Sequence, residues 1–260
     1  MTKTTHTAPS PARAHDVALG ELDGVLALLR GLGPDDWHLP PDCTGWSVRD
    51  VVAHVTGAME DGARLRVQLR HVVLAPRRYP TMSPLDAMNQ MQLDDRRGAG
   101  PEEIVRELAA LGPRAARARP RMPALLRGRA VPGKDTGLPA GSTFAYLVDV
   151  IYPRDLWMHR VDVERATGRP HATSATEHDV VDEVVSDLAD TWDGPPATLT
   201  TTGAVIGTWR LGDGSPPGAD LQVDAVELCR LLSGRPATPT VTRTGDVRAE
   251  EHLLAGRIPF

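Results

Sequence analysis

The stretch STFAYLVDVIYPRDLWMHRVDVERATGRP, residues 142–170, decides the fold of this chain. With about 100° between successive helical residues, its apolar positions form one stripe, and that stripe also carries Asp155, His159 and Asp162. A carboxylate and an imidazole buried there without partners would cost several kcal/mol. The row therefore requires hydrogen bonds, an ion pair or a metal ion. Asp155 and His159 are four residues apart, so their side chains converge.

Four long helical patterns follow one another and predict a helical bundle. The first runs from about Ala14 to Arg30, and the second begins at Val48, behind an S-x-x-D capping box. The third begins at Pro101 and is expected to break at the prolines near its far end, and the fourth covers residues 142–167. Residues 85–95 add a helical turn or two.

Pro153 lies inside the fourth pattern, two residues before Asp155. Because proline has no backbone N–H, it either kinks the helix or occupies the first turn of a separate helix. In both cases we expect Pro153 to help aim Asp155.

The character of the sequence changes near residue 195. A fifth helical segment, residues 174–192, is assigned to the bundle, whereas short β-rich runs separated by glycine begin at Ala197. We therefore predict an α+β fold with a disordered tail over residues 1–14, a helical domain over 15–195 and a small α+β lobe over 196–260.

Composition excludes several classes of function. The chain has 29 basic and 34 acidic residues and a net charge of −5, so it lacks the basic field of a nucleic-acid binder. No apolar run is long enough to span a bilayer, and the first residues lack the apolar core of a signal peptide. Two cysteines cannot form a disulfide framework. We expect a cytoplasmic monomer or homodimer that binds neither nucleic acid nor membranes.

His54 extends the polar row to a second helix. It lies about 110° from the centre of that helix's valine-rich face, at the edge of the buried surface. Together with Asp155 and His159 it would form a site of two histidines and one carboxylate with an open position for water or substrate. A structural histidine and a local Asp–His hydrogen bond are the simpler alternatives, and spacing alone leaves them open.

Two motifs resemble a known family. Residues 43–57, CTGWSVRDVVAHVTG, and residues 151–170, IYPRDLWMHRVDVERATGRP, resemble the signatures of the mycothiol-dependent maleylpyruvate isomerase family, a branch of the DinB-like metalloenzyme superfamily. Residues 84–96 and 219–235 are also similar to that family, so the resemblance spans most of residues 15–260. It implies a DinB-like four-helix bundle followed by a lobe similar to sterol-carrier domains.

The resemblance also implies that His54, Asp155 and His159 are the ligands of a divalent metal. Asp155 stands where the isomerase has glutamate, so its side chain is one methylene shorter. The shorter chain would draw the helix closer to the metal or change how the carboxylate binds. Zn²⁺ is the first expectation because it accepts mixed nitrogen and oxygen ligands. Fe²⁺, Ni²⁺ and Mn²⁺ are the alternatives.

The cosubstrate that the resemblance implies is mycothiol, a low-molecular-weight thiol. A metal-bound thiol is largely thiolate at neutral pH and is then a competent nucleophile. We expect it to add to a small electrophile, either as a cis–trans isomerase or as an S-transferase. Cys43 and Cys229 are interpreted as packing residues, so the reactive sulfur would come from outside the chain.

Several polar residues are weaker candidates. Asp162 either orients His159 or pairs with a nearby arginine, and Asp61 is either a fourth oxygen ligand or a solvated carboxylate. Asn89 and Arg96 are candidates for binding an anionic substrate or the thiol. The arginine-rich residues 114–129 are interpreted as a solvated surface.

Two further functions remain compatible with the sequence. The same metal site could activate water in a hydrolase. Alternatively, a closed coordination sphere would make the protein a non-catalytic, metal-stabilised binding module.

Overall fold

The computed structural model describes residues 9–132, 138–214 and 216–260. The chain separates into two compact units, residues 9–174 and residues 175–260. The predicted tail lies largely outside the described residues, because residues 1–8 are not among them. The first helix starts at Pro11 rather than near Ala14, because the Ser10 side chain caps it by accepting from the N–H of Arg13.

The first unit contains eight α-helices within the described ranges. They are α1 (Pro11–Arg30), α2 (Val48–Ala63), α3 (Leu65–Arg78), α4 (Pro84–Asp95), α5 (Pro101–Ala118), α6 (Ala124–Arg127), α7 (Phe144–Tyr146) and α8 (Tyr152–Ala166). Helices α1, α2, α5 and α8 pack against one another and form the four-helix bundle. The predicted bundle is thus present in the structure.

The core of the bundle follows from the apolar stripes of these helices. Leu22, Val25 and Leu29 of α1 meet the valine face of α2 and the face of α5 that carries Ile104 and Leu108. Helix α5 passes through Pro113 without ending, contrary to the predicted break. Glycine at position 112 accommodates Leu22, since a Cβ there would overlap its methyl groups.

The segment between α2 and α5 is more helical than predicted. The second helical pattern ends at Ala63, and α3 starts after Arg64, whose backbone is not helical (φ −137°, ψ 89°). Residues 84–95, expected to supply a turn or two, form the twelve-residue helix α4. Ser83 caps α4 by accepting from the N–H of Asp86, and Pro84 occupies its first turn, which explains the extra length.

A π-helical segment, Leu147–Ile151, precedes α8. Pro153 lies in the first turn of α8, but α8 is not a separate helix, because the backbone remains helical from the π-helical segment through Ile151 and Tyr152. A π-helical turn changes the angular register of the residues that follow it, and such turns are frequent at functional sites. The change of register comes four residues before Asp155.

The second unit combines helices with one mixed sheet. Its helices are α9 (Glu177–Thr191), α10 (Ala225–Leu232) and α11 (Val247–Ala255), and its strands are β1 (Ala197–Thr202), β2 (Gly207–Leu211), β3 (Ala219–Asp224) and β4 (Thr242–Gly245). The strand order is β2-β1-β3-β4, with β1 parallel to β3 and the outer pairs antiparallel. Alternate residues of β1 and β3 are buried, as expected for strands with one covered face.

Helix α9 belongs to this second unit, whereas the sequence analysis assigned it to the bundle. Trp209 of β2 donates its indole N–H to Asp182 of α9 at 2.7 Å, and α9 also packs against α10. The structural division therefore falls after residue 174, not after residue 195. The α+β class is confirmed. No helix in the described parts of the chain is both long enough and apolar enough to cross a membrane.

Candidate metal centre

Three predicted ligands meet between α2 and α8. His54 Nε2 lies 3.6 Å from Asp155 Oδ2, and His159 Nε2 lies 3.2 Å from Asp155 Oδ1. The two imidazole rings are 5.1 Å apart and nearly perpendicular. Both histidines are buried, whereas the Asp155 side chain is 24% exposed. One donor atom from each residue lies within 4.8 Å of the other two, a spacing that fits a shared metal ion.

Both imidazoles are held at their other nitrogen. His54 Nδ1 donates to Gln92 Oε1 at 2.7 Å, and His159 Nδ1 donates to Asp162 Oδ2 at 3.0 Å. In the neutral form with the proton on Nδ1, each Nε2 would present a lone pair toward Asp155. Metal-binding histidines are oriented in this way by a hydrogen bond from the second ring nitrogen. The donor set of two imidazoles and one carboxylate therefore fits a divalent metal.

Gln92 reaches His54 because α4 packs closely on α2. A Cβ at position 57 would overlap Cβ and Cγ of Gln92, so only glycine permits this approach. The amide orientation is set by Asp61, whose Oδ2 accepts from Gln92 Nε2 at 2.8 Å and leaves Oε1 free to accept from His54. The hydrogen bond to His54 is thus fixed by a second buried carboxylate.

A tight turn brings two more side chains to the cluster. Trp46 N–H donates to the Cys43 carbonyl at 3.1 Å, and Gly45 between them has φ +82°, a value that favours glycine. The Trp46 ring lies 5.3 Å from the His54 ring and 6.4 Å from the His159 ring. Trp46 therefore covers both imidazoles on one side.

The charges of the cluster are strongly coupled. Burial alone would raise the pKa of the Asp155 carboxyl, but the charge and hydrogen bond of His159, together with His54, hold it well below its usual value. Burial alone would likewise lower the pKa of His159, yet Asp155, Asp162 and Cys43 raise it well above the usual value. Without a metal, a proton on His159 is stabilised by the same carboxylate. Proton and metal therefore compete for this nitrogen.

A family model described as the mycothiol maleylpyruvate isomerase N-terminal domain matches residues 19–164. This match covers more than half of the chain and includes His54, Asp155 and His159. The chain belongs to this family.

Solved structures of that family have the same fold as this chain. One is described as the crystal structure of the mycothiol-dependent maleylpyruvate isomerase, with a TM-score of 0.58 and 16% identity over 95% of this chain and 98% of the other. A mutant of that isomerase gives a TM-score of 0.57 and 15% identity over the same shares. At this identity the likeness concerns the fold alone. A comparison with curated proteins finds no match.

Among the weaker candidates, Asp162 has the contact predicted for a residue that orients His159. Asp61 is buried, accepts a hydrogen bond from Gln92 and lies 2.7 Å from His71 Nδ1, so the solvated interpretation is wrong. The ligand-like groups found among the described residues do not include Asp61. Its role is to orient Gln92.

The substrate-binding candidates on and after α4 lie elsewhere. Arg96 is buried and paired with Glu60 at 2.9 Å and Glu107 at 2.8 Å, so these carboxylates already neutralise its charge. Asn89 is half-buried on α4, and no hydrogen bond found in the described ranges joins it to the cluster. The residue of this segment that reaches the site is Gln92, which the sequence analysis missed. It shares a buried face with Ala87 and Met91, a pattern that could have revealed it.

Cys43 packs against the bundle core, as predicted, and its thiol also reaches the polar cluster. Its thiol donates to Asp162 Oδ2 at 3.4 Å and lies 3.8 Å from His159 Nδ1. Cys43, His159 and Asp162 could thus form a second ligand group. This group lies on the Nδ1 side of His159, where the proton to Asp162 already occupies the nitrogen. Cys229 is fully buried on α10, as expected for a packing residue.

A buried chain of hydrogen bonds leads away from His54. Beyond Gln92 and Asp61, His71 of α3 is fully buried, with Nδ1 2.7 Å from Asp61 and Nε2 3.0 Å from Asp95. Burial alone would lower the pKa of His71, but the hydrogen bonds and charges of the two carboxylates raise it above the usual value. Helices α2, α3 and α4 are thereby joined behind the predicted ligands.

Proposed function

We propose that this chain is a divalent-metal-dependent enzyme that uses mycothiol to attack an electrophilic small molecule, with His54, Asp155 and His159 as the metal ligands. Membership of the family supports mycothiol and an isomerase-type reaction. One structural observation carries the metal site: both imidazoles are bound at Nδ1 and turn Nε2 toward one carboxylate.

A bound divalent metal would lower the pKa of a thiol that coordinates it, so that the thiolate predominates at neutral pH. Zn²⁺ is the ion we propose, because it combines imidazole and carboxylate ligands with an open position. The residues of the chain orient the ligands and control access to the site. Gln92 and Asp162 hold the imidazoles in place, and Trp46 limits the access of water from its side. The partly exposed side of Asp155 leaves room for the thiol and its partner.

The proposed chemistry is addition of the thiolate to an activated cis double bond. As the C–S bond forms, the electron pair of the double bond moves onto the conjugated carbonyl oxygen of the substrate and leaves a carbon–carbon single bond. Rotation about this single bond follows, and return of the electron pair expels the thiolate and gives the trans isomer. The solved relatives named as maleylpyruvate isomerase favour this version. An S-transferase would form the same C–S bond and keep it. For the lobe that begins near residue 196 we propose a relationship to sterol-carrier domains.

The test is thiol-dependent turnover by the zinc-loaded full chain. Maleylpyruvate is incubated with and without mycothiol, and the cis-to-trans conversion is followed by ultraviolet absorbance. We expect conversion that requires the thiol and falls at least 100-fold in a His54→Ala variant, as the loss of a metal ligand predicts. Mass spectrometry of the products identifies an S-conjugate if the C–S bond is retained.

Two outcomes would contradict the proposal. Conversion that does not depend on mycothiol would exclude the thiol mechanism. Metal-dependent hydrolysis of an ester or amide, without binding of mycothiol in a calorimetric titration, would favour a water-activating enzyme.

A further inference from the structure

Arg119 follows α5 and is buried close to the metal centre, although the sequence analysis assigned the arginine-rich segment to the surface. Only 5% of the residue is exposed. Its Nε and Nη1 atoms are inaccessible to solvent and have no hydrogen-bond partner among the described residues. Nη2 donates to the thioether of Met59 at 3.8 Å, and the guanidinium lies 4.9 Å above the ring of Tyr152. The N–H groups at Nε and Nη1 of this buried cation therefore lack an acceptor among the described residues.

A buried guanidinium of this kind is normally paired with a carboxylate, because desolvation of an unpaired charge carries a large free-energy cost. Burial lowers the pKa of Arg119 to about 10, although Tyr152, Asp149 and Asp155 act in the opposite direction through their charges. Arg119 is therefore still protonated at neutral pH. Asp149, the obvious partner, is hydrogen-bonded to Arg127 instead. Burial raises the pKa of Asp149, whereas the hydrogen bond from Arg127 and the charges of Arg127 and Arg119 act in the opposite direction.

The surroundings of Arg119 connect it to the predicted site. Tyr152, on which the guanidinium lies, is three residues before Asp155, and thus on the same face of α8. Both Tyr152 and Asp155 are partly exposed, so solvent reaches the edge of the cluster beside Arg119. Burial raises the pKa of Tyr152 to about 12, which keeps its hydroxyl protonated and neutral. A small anion entering there would meet a fixed cation, a neutral phenol and the metal ligands.

We propose that Arg119 is a specificity-determining residue that binds a carboxylate group of the electrophilic substrate. The planar guanidinium offers Nε and one Nη to the two oxygens of a carboxylate, the geometry in which arginine binds this group most strongly. The bound carboxylate would hold the reacting carbon atoms of the substrate in a fixed position beside Tyr152 and the predicted ligands. The identification of the anion as the substrate rests on the proposed function, whereas binding of the anion by Arg119 does not.

The experiment is a calorimetric titration of the zinc-loaded protein with maleate, and in parallel with its uncharged dimethyl ester. It compares wild type with Arg119→Met and Arg119→Lys, and with Arg121→Met as the matched control, because Arg121 is exposed in the same turn. We expect Arg119→Met to bind maleate at least tenfold more weakly than wild type, Arg119→Lys to lie between them, and Arg121→Met to remain within twofold. No variant should change the affinity for the ester. No thiol is present, so the result is independent of whether mycothiol is used.

A measurement of stability separates this role from a structural one. If Arg119 supported the fold through Asp149, Arg119→Met would melt several degrees below wild type. We expect a melting temperature equal to or above that of wild type and an unchanged zinc content, because an apolar chain of similar length removes the desolvation cost of a buried charge without a partner. Equal maleate affinity of wild type and Arg119→Met, failure of wild type to bind maleate at 10 mM (roughly the weak limit of specific binding), or a lower melting temperature would each overturn the proposal.

Discussion

The orientation of His159 by Asp162 gives a quantitative prediction for metal affinity. Asp162 is fully buried and accepts the Nδ1 proton of His159 at 3.0 Å. Removing a partner that orients a ligand typically weakens metal binding about 10- to 100-fold, or roughly 1.4–2.7 kcal/mol. We expect Asp162→Ala to lie near the upper end of this range. Asp162→Asn should lie near the lower end, since an amide oxygen still accepts the proton but carries no charge.

The assay is competition for Zn²⁺ with a chromophoric chelator at pH 8, where fewer protons compete for the imidazoles. Glu102→Gln is the matched control. It also removes one negative charge, but from a side chain that is 93% exposed. Melting temperatures of the metal-free variants show whether each one is folded. Zinc affinity of folded Asp162→Ala within twofold of wild type would refute the assignment of His159 as an oriented ligand.

Three further predictions concern the surroundings of the site. Gly57→Ala should displace Gln92, because the added Cβ overlaps the Gln92 side chain. We expect this variant to show both a lower melting temperature and weaker zinc binding. An unchanged zinc affinity would show that Gln92 does not orient His54. The raised pKa of His71 means that its ion pairs stabilise the folded state fully below pH about 6.5, the usual value, and lose this contribution as the pH rises through the folded-state pKa. Urea unfolding should therefore show a larger destabilisation by His71→Asn at pH 6 than at pH 9, and an equal difference at both would contradict the buried ion pairs. Finally, the raised pKa of His159 in the metal-free protein predicts that zinc binding displaces a proton, so that zinc affinity rises about tenfold per pH unit below that pKa. Calorimetry in buffers of different ionisation enthalpy measures the number of protons released. Zinc binding without proton release would contradict ligation by His159.

The bundle could be predicted because its signals are local. Apolar residues recur at helical spacing, and Ser47 with Asp50 marks the start of α2 by a capping box that the structure contains. The break at Arg64 could not be predicted, since nothing in its neighbours forbids a helix. The position of α9 was also missed, because its contact with Trp209 depends on tertiary packing that no periodicity records.

The residues of the candidate site also differ in whether local sequence or tertiary packing determines their position. His54, Asp155 and His159 follow from helical spacing and from the resemblance, and the structure brings them together. Gln92, Trp46 and Arg119 come from a neighbouring helix, a turn and a helix end. Their contribution depends on how these elements dock, for example on the absence of a side chain at Gly57. The spacing of residues within one helix does not indicate how that helix docks against its neighbours.

The most direct test of the metal centre is the metal content of the purified full chain. Inductively coupled plasma mass spectrometry compares wild type with a His54→Ala/His159→Ala double variant, and with His38→Ala/His178→Ala as a control in which both histidines are exposed. We predict about one zinc ion per chain in wild type and in the control, and less than roughly a tenth of that in the double variant. Equal metal content in the folded double variant and in wild type would contradict the assignment of these histidines as ligands.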